Sequence, residues 1–199
     1  MSKPTKIVFN NGPAGSGKDV SADNMRRNTV KTYQMEFKKP LFALVKLVYN
    51  ISDSEWNEMY TRENKEKPYD VLNGFSPRQA LIHMSEEVIK PKFGKDFFGK
   101  WVVTDLKRHE EYGFRRFIFS DSGFPEEAIP IIREYGESNV AVFRIMRDGH
   151  GYSGDSRSYL KPEDLPSGVS FYDVYNNGSL DEFLDETVNL FKDFVGECD

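Results

Sequence analysis

The sequence predicts an α/β fold of three layers, with a mostly parallel five-stranded sheet between helices. Three observations predict it. A short apolar run, Ile7-Val8-Phe9, reads as a buried strand. It leads into Gly12-Pro13-Ala14-Gly15-Ser16-Gly17-Lys18-Asp19, the pattern G-x-x-x-x-G-K with a strand before it and a helix after it. From there to the C-terminus, strand-like and helix-like stretches alternate, the order expected of a parallel sheet wrapped by helices.

The motif has a physical basis. Glycines let the backbone turn through conformations closed to other residues. The N–H groups then converge at the positive end of the following helix and hold phosphate oxygens. Gly12, Ala14, Gly15, Ser16 and Gly17 supply that cradle, and Lys18 supplies a point charge for β- and γ-phosphates. Asp19 stands where Ser or Thr is usual. Its carboxylate suits Mg²⁺, directly or through water, or serves as a base toward an acceptor hydroxyl.

The chain has 199 residues, which is one domain by length, 1–199. Charged residues make up 30% and the net charge is −5, so a uniformly basic nucleic-acid binder is not expected. The single cysteine, Cys198, excludes a disulfide framework within one chain and points to a reducing compartment, here cytoplasmic. No apolar run reaches the ~18 residues of a membrane span. The first residues, Met1 to Lys6, lack the apolar core of a signal peptide.

The elements follow in order. Residues 6–11 form the first strand and the helix after the loop runs from about Lys18 to Asn28. Thr32 to Phe37 is a second strand, and Pro40 to Asn50 a largely buried helix opening on proline. Ser52 to Glu55 is a capping box for a short helix to about Tyr60, and the polar stretch Thr61 to Gly74 is an exposed connection. Ser76-Pro77-Arg78-Gln79 is a second capping box, with a helix to about Ile89 ended by Pro91. Arg78 sits in the first turn, where the helix dipole disfavours a cation, so gripping an anion is its expected task. Residues 99–112 are helical, and Arg116 to Ser120 is a strand with Asp121 at its carboxyl end. Ligands of open α/β sheets bind there, so Asp121 is the expected Mg²⁺-side acid. After a helix from Glu126 to Tyr135, the strand Val140 to Met146 carries Arg144 and leads to Arg147. The glycine-rich segment with Arg157 reads as a mobile lid that brings charge to a transferring phosphoryl group. Val169 to Tyr175 is the last strand, and Ser179 to Glu182 caps a closing helix to about Val195. His83, His109 and His150 lack metal-ligand spacing and read as structural.

Several of these features together resemble the bacteriophage deoxynucleoside monophosphate kinases, which are similar to adenylate, thymidylate and dephospho-coenzyme A kinases. The features are Gly17-Lys18-Asp19, Pro77-Arg78-Gln79, Ser120-Asp121 followed by Phe124 to Ala128, Arg144 with Arg147, and Asn176 to Phe183. The resemblance implies a P-loop NTPase fold of nucleotide-kinase type, with an acceptor-binding helical insertion about 40–112 and a lid about 147–168. It implies ATP and Mg²⁺ as cofactors, with Lys18, Asp19, Asp121 and Arg147 catalytic and Asp19 and Asp121 on the metal. Arg144 and Asn177 would contact ATP, and Arg78, Gln79 and Arg157 the acceptor. The implied activity moves the γ-phosphoryl of ATP to a deoxynucleoside monophosphate. Two departures stand out: Gly123, where the family often carries arginine, and Asp155-Ser156-Arg157-Ser158, where its usual lid signature falls. A related phage group phosphorylates 5-hydroxymethyluracil in DNA, so modified DNA is the alternative substrate. A nucleotide-binding module without an acceptor is the third reading. No membrane partner is expected, and a homodimer is left open. A phage-encoded chain would work in the host cytoplasm.

Overall fold

The computed structural model describes residues 4–153 and 157–196. Five strands form one sheet: β1 (Lys6–Asn11), β2 (Thr32–Met35), β3 (Arg116–Ser122), β4 (Val140–Met146) and β5 (Ser170–Tyr175). All pairings are parallel, in the order β2-β3-β1-β4-β5. The chain departs from β1 toward one edge and returns to its other side at β4. That reversal leaves a crevice at the carboxyl ends of β1, β3 and β4.

The strands are apolar on both faces, as a covered parallel sheet requires. Ile7, Phe9, Phe117, Phe119, Val140 and Val142 face one layer with Val102, Leu106, Ile131 and Ile132. These come from the helices α6 (Phe97–Glu111) and α7 (Pro125–Tyr135). Val8, Ile118, Ala141 and Phe143 face the opposite layer with Ala22, Met25, Val188, Phe191 and Val195. Those belong to α1 (Lys18–Arg27) and α8 (Leu180–Val195). This is the three-layer α/β architecture expected from the sequence.

The chain divides into two compact units. One runs to Phe37 and resumes at Gly99; the other is Lys38–Phe98. The second holds α2 (Lys39–Tyr49), α3 (Asp53–Met59), α4 (Pro77–Ile82) and α5 (Lys90–Phe93) around Val45, Trp56, Leu72, Ala80 and Met84. It ends earlier than the insertion expected at about 40–112, because Val102 and Leu106 pack in the sheet's core.

Two local expectations need correction. The helix α2 is not largely buried: Pro40 and Val45 are its buried residues, while Leu47 and Val48 are exposed. Its apolar residues lie all round, and the packing covers one stripe. Nor does Pro91 end the helix begun at Pro77. Residues His83–Ile89 widen into a π-helix, in which the Lys90 N–H donates to the Ser85 carbonyl, and helix continues to Phe93. The wider turn moves the proline ring away from the carbonyl it would otherwise strike. Among the described residues, no helix is long and apolar enough to cross a membrane.

Candidate active site at the phosphate loop

The loop between β1 and α1 turns through two left-handed glycines, Gly15 at φ 82° and Gly17 at φ 103°. Any other residue there would be strained. Gly17 is also the N-cap of α1, so the loop's end coincides with the positive end of the helix dipole. Lys18 is buried, and its Nζ donates to the Pro13 carbonyl at 3.2 Å, folding the side chain back over the loop. The Ser16 N–H donates to the same carbonyl at 3.3 Å. The Ser16 hydroxyl is buried and has no hydrogen-bond partner among the described residues. An orphaned buried hydroxyl costs stability unless a ligand or water meets it.

Three side chains brace this loop. Asn176 donates through Nδ2 to the Ser16 carbonyl at 2.8 Å. Asn10 donates to the Lys18 carbonyl at 3.0 Å and to the Ser21 hydroxyl at 2.9 Å, fixing the first turn of α1. Arg147 donates through Nη1 to the Gly15 carbonyl at 3.0 Å. The turn that follows β4 lies against the same glycine. His150 donates through Nδ1 to the Asp148 carbonyl at 3.1 Å, and a Cβ built on Gly15 would meet its Nε2 at 2.8 Å. Asn177 accepts the Asp148 N–H at 2.8 Å and so ties this turn to the segment before α8. Arg147 and His150 therefore meet the loop from the carboxyl end of β4, and Asn177 holds the turn that carries them.

On the other side of β1, the pairing with β3 carries a bulge. Phe9 pairs with Phe119 but Asn11 with Ser122, so β3 has one extra residue at Ser120–Asp121. Bulges of this kind re-aim side chains beside functional sites. Asp121 is buried and accepts the Phe37 N–H through Oδ1 at 2.9 Å. The strand is two residues longer than the sequence indicates, which puts Asp121 inside it and not after it. Asp19 is exposed in the first turn of α1.

Asn11 is the buried hub here. Its Nδ2 lies within reach of the Ser122 carbonyl (3.2 Å), the Tyr152 hydroxyl (3.1 Å) and the Ser158 carbonyl (3.2 Å). Its Oδ1 accepts the Leu160 N–H at 2.8 Å. Leu160 and Leu165, in the later part of the expected lid, 147–168, are core residues. Gly154, Asp155 and Ser156 of that expectation lie outside the described residues. Arg157 is half-buried, with its stem against Gly123.

Other candidates have partners of their own. Arg144 makes a bidentate pair with Asp173, its neighbour across β4 and β5, at 2.6 and 3.0 Å. Beside it, Tyr159 donates to the Ile145 carbonyl at 3.1 Å. Burial, with the Asp173 carboxylate adding to it, raises the Tyr159 phenol above its usual pKa and keeps it a donor. In the second unit, Arg78 pairs with Glu66 at 2.8 Å. Gln79 uses its Oε1 for the Ser76 N–H in the capping box, at 2.9 Å. Asn10 and Asn11 carry no role in the sequence pattern, and Asn176 enters it only within the closing stretch. Two asparagines closing an otherwise apolar strand are a usable signal, since buried amides are there to be hydrogen-bonded.

No protein-family model and no curated protein matches this sequence. Among solved structures, the chain is similar to an unliganded sugar kinase from Janibacter sp., at 13% identity and a TM-score of 0.45 over 96% of each chain. It is also similar to a gluconokinase from Sinorhizobium meliloti, at 14% identity and a TM-score of 0.40 over the full length of both. At those scores the likenesses carry no argument about what this chain does.

Proposed function

We propose that the chain is a phosphotransferase that moves the γ-phosphoryl group of ATP to a nucleotide acceptor, with the 5′-phosphate of a deoxynucleoside monophosphate as first choice. One observation carries the reading: a glycine loop, the buried Lys18 and the start of α1 form a single anion-directed cradle, with Arg147 held against the same loop. The residues fit a triphosphate. The buried Ser16 hydroxyl lacks a partner among the described residues, and the loop ends at the N-cap of α1. They also fit Mg²⁺, because Asp19 and Asp121 offer carboxylates and this ion keeps several waters. Among the described residues no cluster of three metal-ligating side chains exists, which suits an ion held largely by phosphates and water. When bound, Mg²⁺ would neutralise charge on the β- and γ-phosphates.

The protein's own part is positioning and charge. Lys18 exchanges the Pro13 carbonyl for phosphate oxygens, and Arg147 stands at the loop's outer side. The Arg144–Asp173 pair leaves Arg147 as the better phosphate contact of the two. Asn177 and the turn it fixes suit the adenine side of ATP. Arg78 would serve the acceptor by trading Glu66 for an acceptor phosphate, with Gln79 fixing the start of its helix.

The test is transfer from labelled ATP onto two acceptor sets, deoxynucleoside monophosphates and DNA with or without 5-hydroxymethyluracil. Label is expected on a monophosphate. Label only on modified DNA would replace the acceptor, and label on neither would sink the transferase reading. Lys18→Ala is expected to abolish transfer with the fold retained. Full turnover in that variant would remove the loop from the chemistry.

A further inference from the structure

Gly123 follows the carboxyl end of β3, two residues after Asp121 in the bulged segment. A Cβ built on it would lie 2.8 Å from Arg157 Cβ and 2.9 Å from both Cγ and Cδ. Three successive carbons of one stem thus cross the space a side chain at 123 would need. The contact with Cβ matters most. Rotation about the side-chain bonds moves Cγ and Cδ, but Cβ is fixed by the backbone. That backbone is itself held, because Asn11 takes the Ser158 carbonyl and the Leu160 N–H on the following residues. Gly123 lies outside the left-handed region, so its value is space and not conformational freedom.

We propose that Gly123 is a positioning residue: its missing side chain is the slot across which the Arg157 stem reaches the carboxyl ends of β1 and β3. The slot gives the stem its room and Asn11 holds the backbone that follows it, so the guanidinium is delivered where the phosphoryl group would pass. The functional half of this inference rests on the kinase reading, with Arg157 as the cation that meets acceptor or transferring phosphate. Its structural half does not.

A double-mutant cycle separates the two. Gly123→Ala, Arg157→Gly and the pair are compared for melting temperature, kcat and KM for ATP. With Arg157 present, Gly123→Ala is expected to lower the melting temperature by about 2–4 °C. It is also expected to lower kcat roughly ten- to a hundredfold, with KM for ATP little changed, because an ångström-scale misplacement carries that cost. In the Arg157→Gly background the same substitution is expected to change neither. Equal losses in both backgrounds would overturn the proposal and give Gly123 a role in the strand end itself. A silent Gly123→Ala in the Arg157 background would overturn it as well. If the wild-type chain transfers no phosphoryl group, the kinase reading and the functional half fail together, and the melting arm still decides the slot.

Discussion

Asn11 shows how much one buried amide does in this molecule. Its Oδ1 takes the Leu160 N–H, and Leu160 is fully buried. Removing the amide orphans that donor along with the Ser122 and Ser158 carbonyls now within its reach. A buried donor left without a partner costs about 1–3 kcal/mol. Asn11→Ala is therefore expected to lose that much stability in denaturant unfolding, with faster amide exchange at Leu160. Unchanged stability and unchanged exchange would mean the segment is held by its apolar contacts alone. At this scale the sequence was only partly legible. Lys18 and the glycines stood out because their spacing is dictated by phosphate geometry. Asn11 and Asn176 did not, because their partners, such as Ser122, Leu160 and Ser16, lie over a hundred positions away. His150 reads as structural, and its ring packs against Gly15.

The elements themselves are set by local chemistry, and the caps show it best. Ser179, at the start of α8, accepts the Glu182 N–H, while Glu182 accepts the Ser179 N–H at 3.0 Å and its hydroxyl at 2.8 Å. Those donors, the hydroxyl foremost, hold the Glu182 carboxyl below its usual pKa. A depressed folded-state pKa gives stability that is present above the unfolded value, about 4.3, and is lost as pH falls through the folded value. The start of α8 is thus expected to fray in acid in the wild-type protein. Glu182→Gln removes that part of the pH dependence, measurable as amide exchange near Glu182 at a series of acidic pH values. Identical pH profiles for both proteins would deny the carboxylate this role. The same box at Ser52 and Ser76 was legible in sequence for the same reason, since its partners are three residues apart. The π-helix at His83–Ile89 was not, because a proline reads as a stop unless the helix before it is known to widen.

At the scale of the whole chain, the strand order could not be read off residues one by one, but its logic could. Apolar runs alternating with helices demanded a parallel sheet, and five such runs supplied the five strands. The extents of the units were less legible. Where the insertion ends depends on Val102 and Leu106 packing on the sheet side, a choice made by tertiary contacts. Charge is a whole-molecule property that bears directly on the acceptor. With 32 acidic against 27 basic residues, the chain has no net attraction for a polyanion. Binding to DNA draws most of its strength from cations neutralising phosphates and weakens steeply with salt. Two of the arginines offered as phosphate contacts are also partly neutralised by carboxylates, Arg144 by Asp173 and Arg78 by Glu66. A labelled duplex is therefore expected to show no rise in fluorescence anisotropy at protein concentrations that saturate with ATP, even at low salt. A saturable rise that falls with salt by several phosphate contacts would reverse the preference. It would make a base in DNA, and not a free monophosphate, the acceptor to test next.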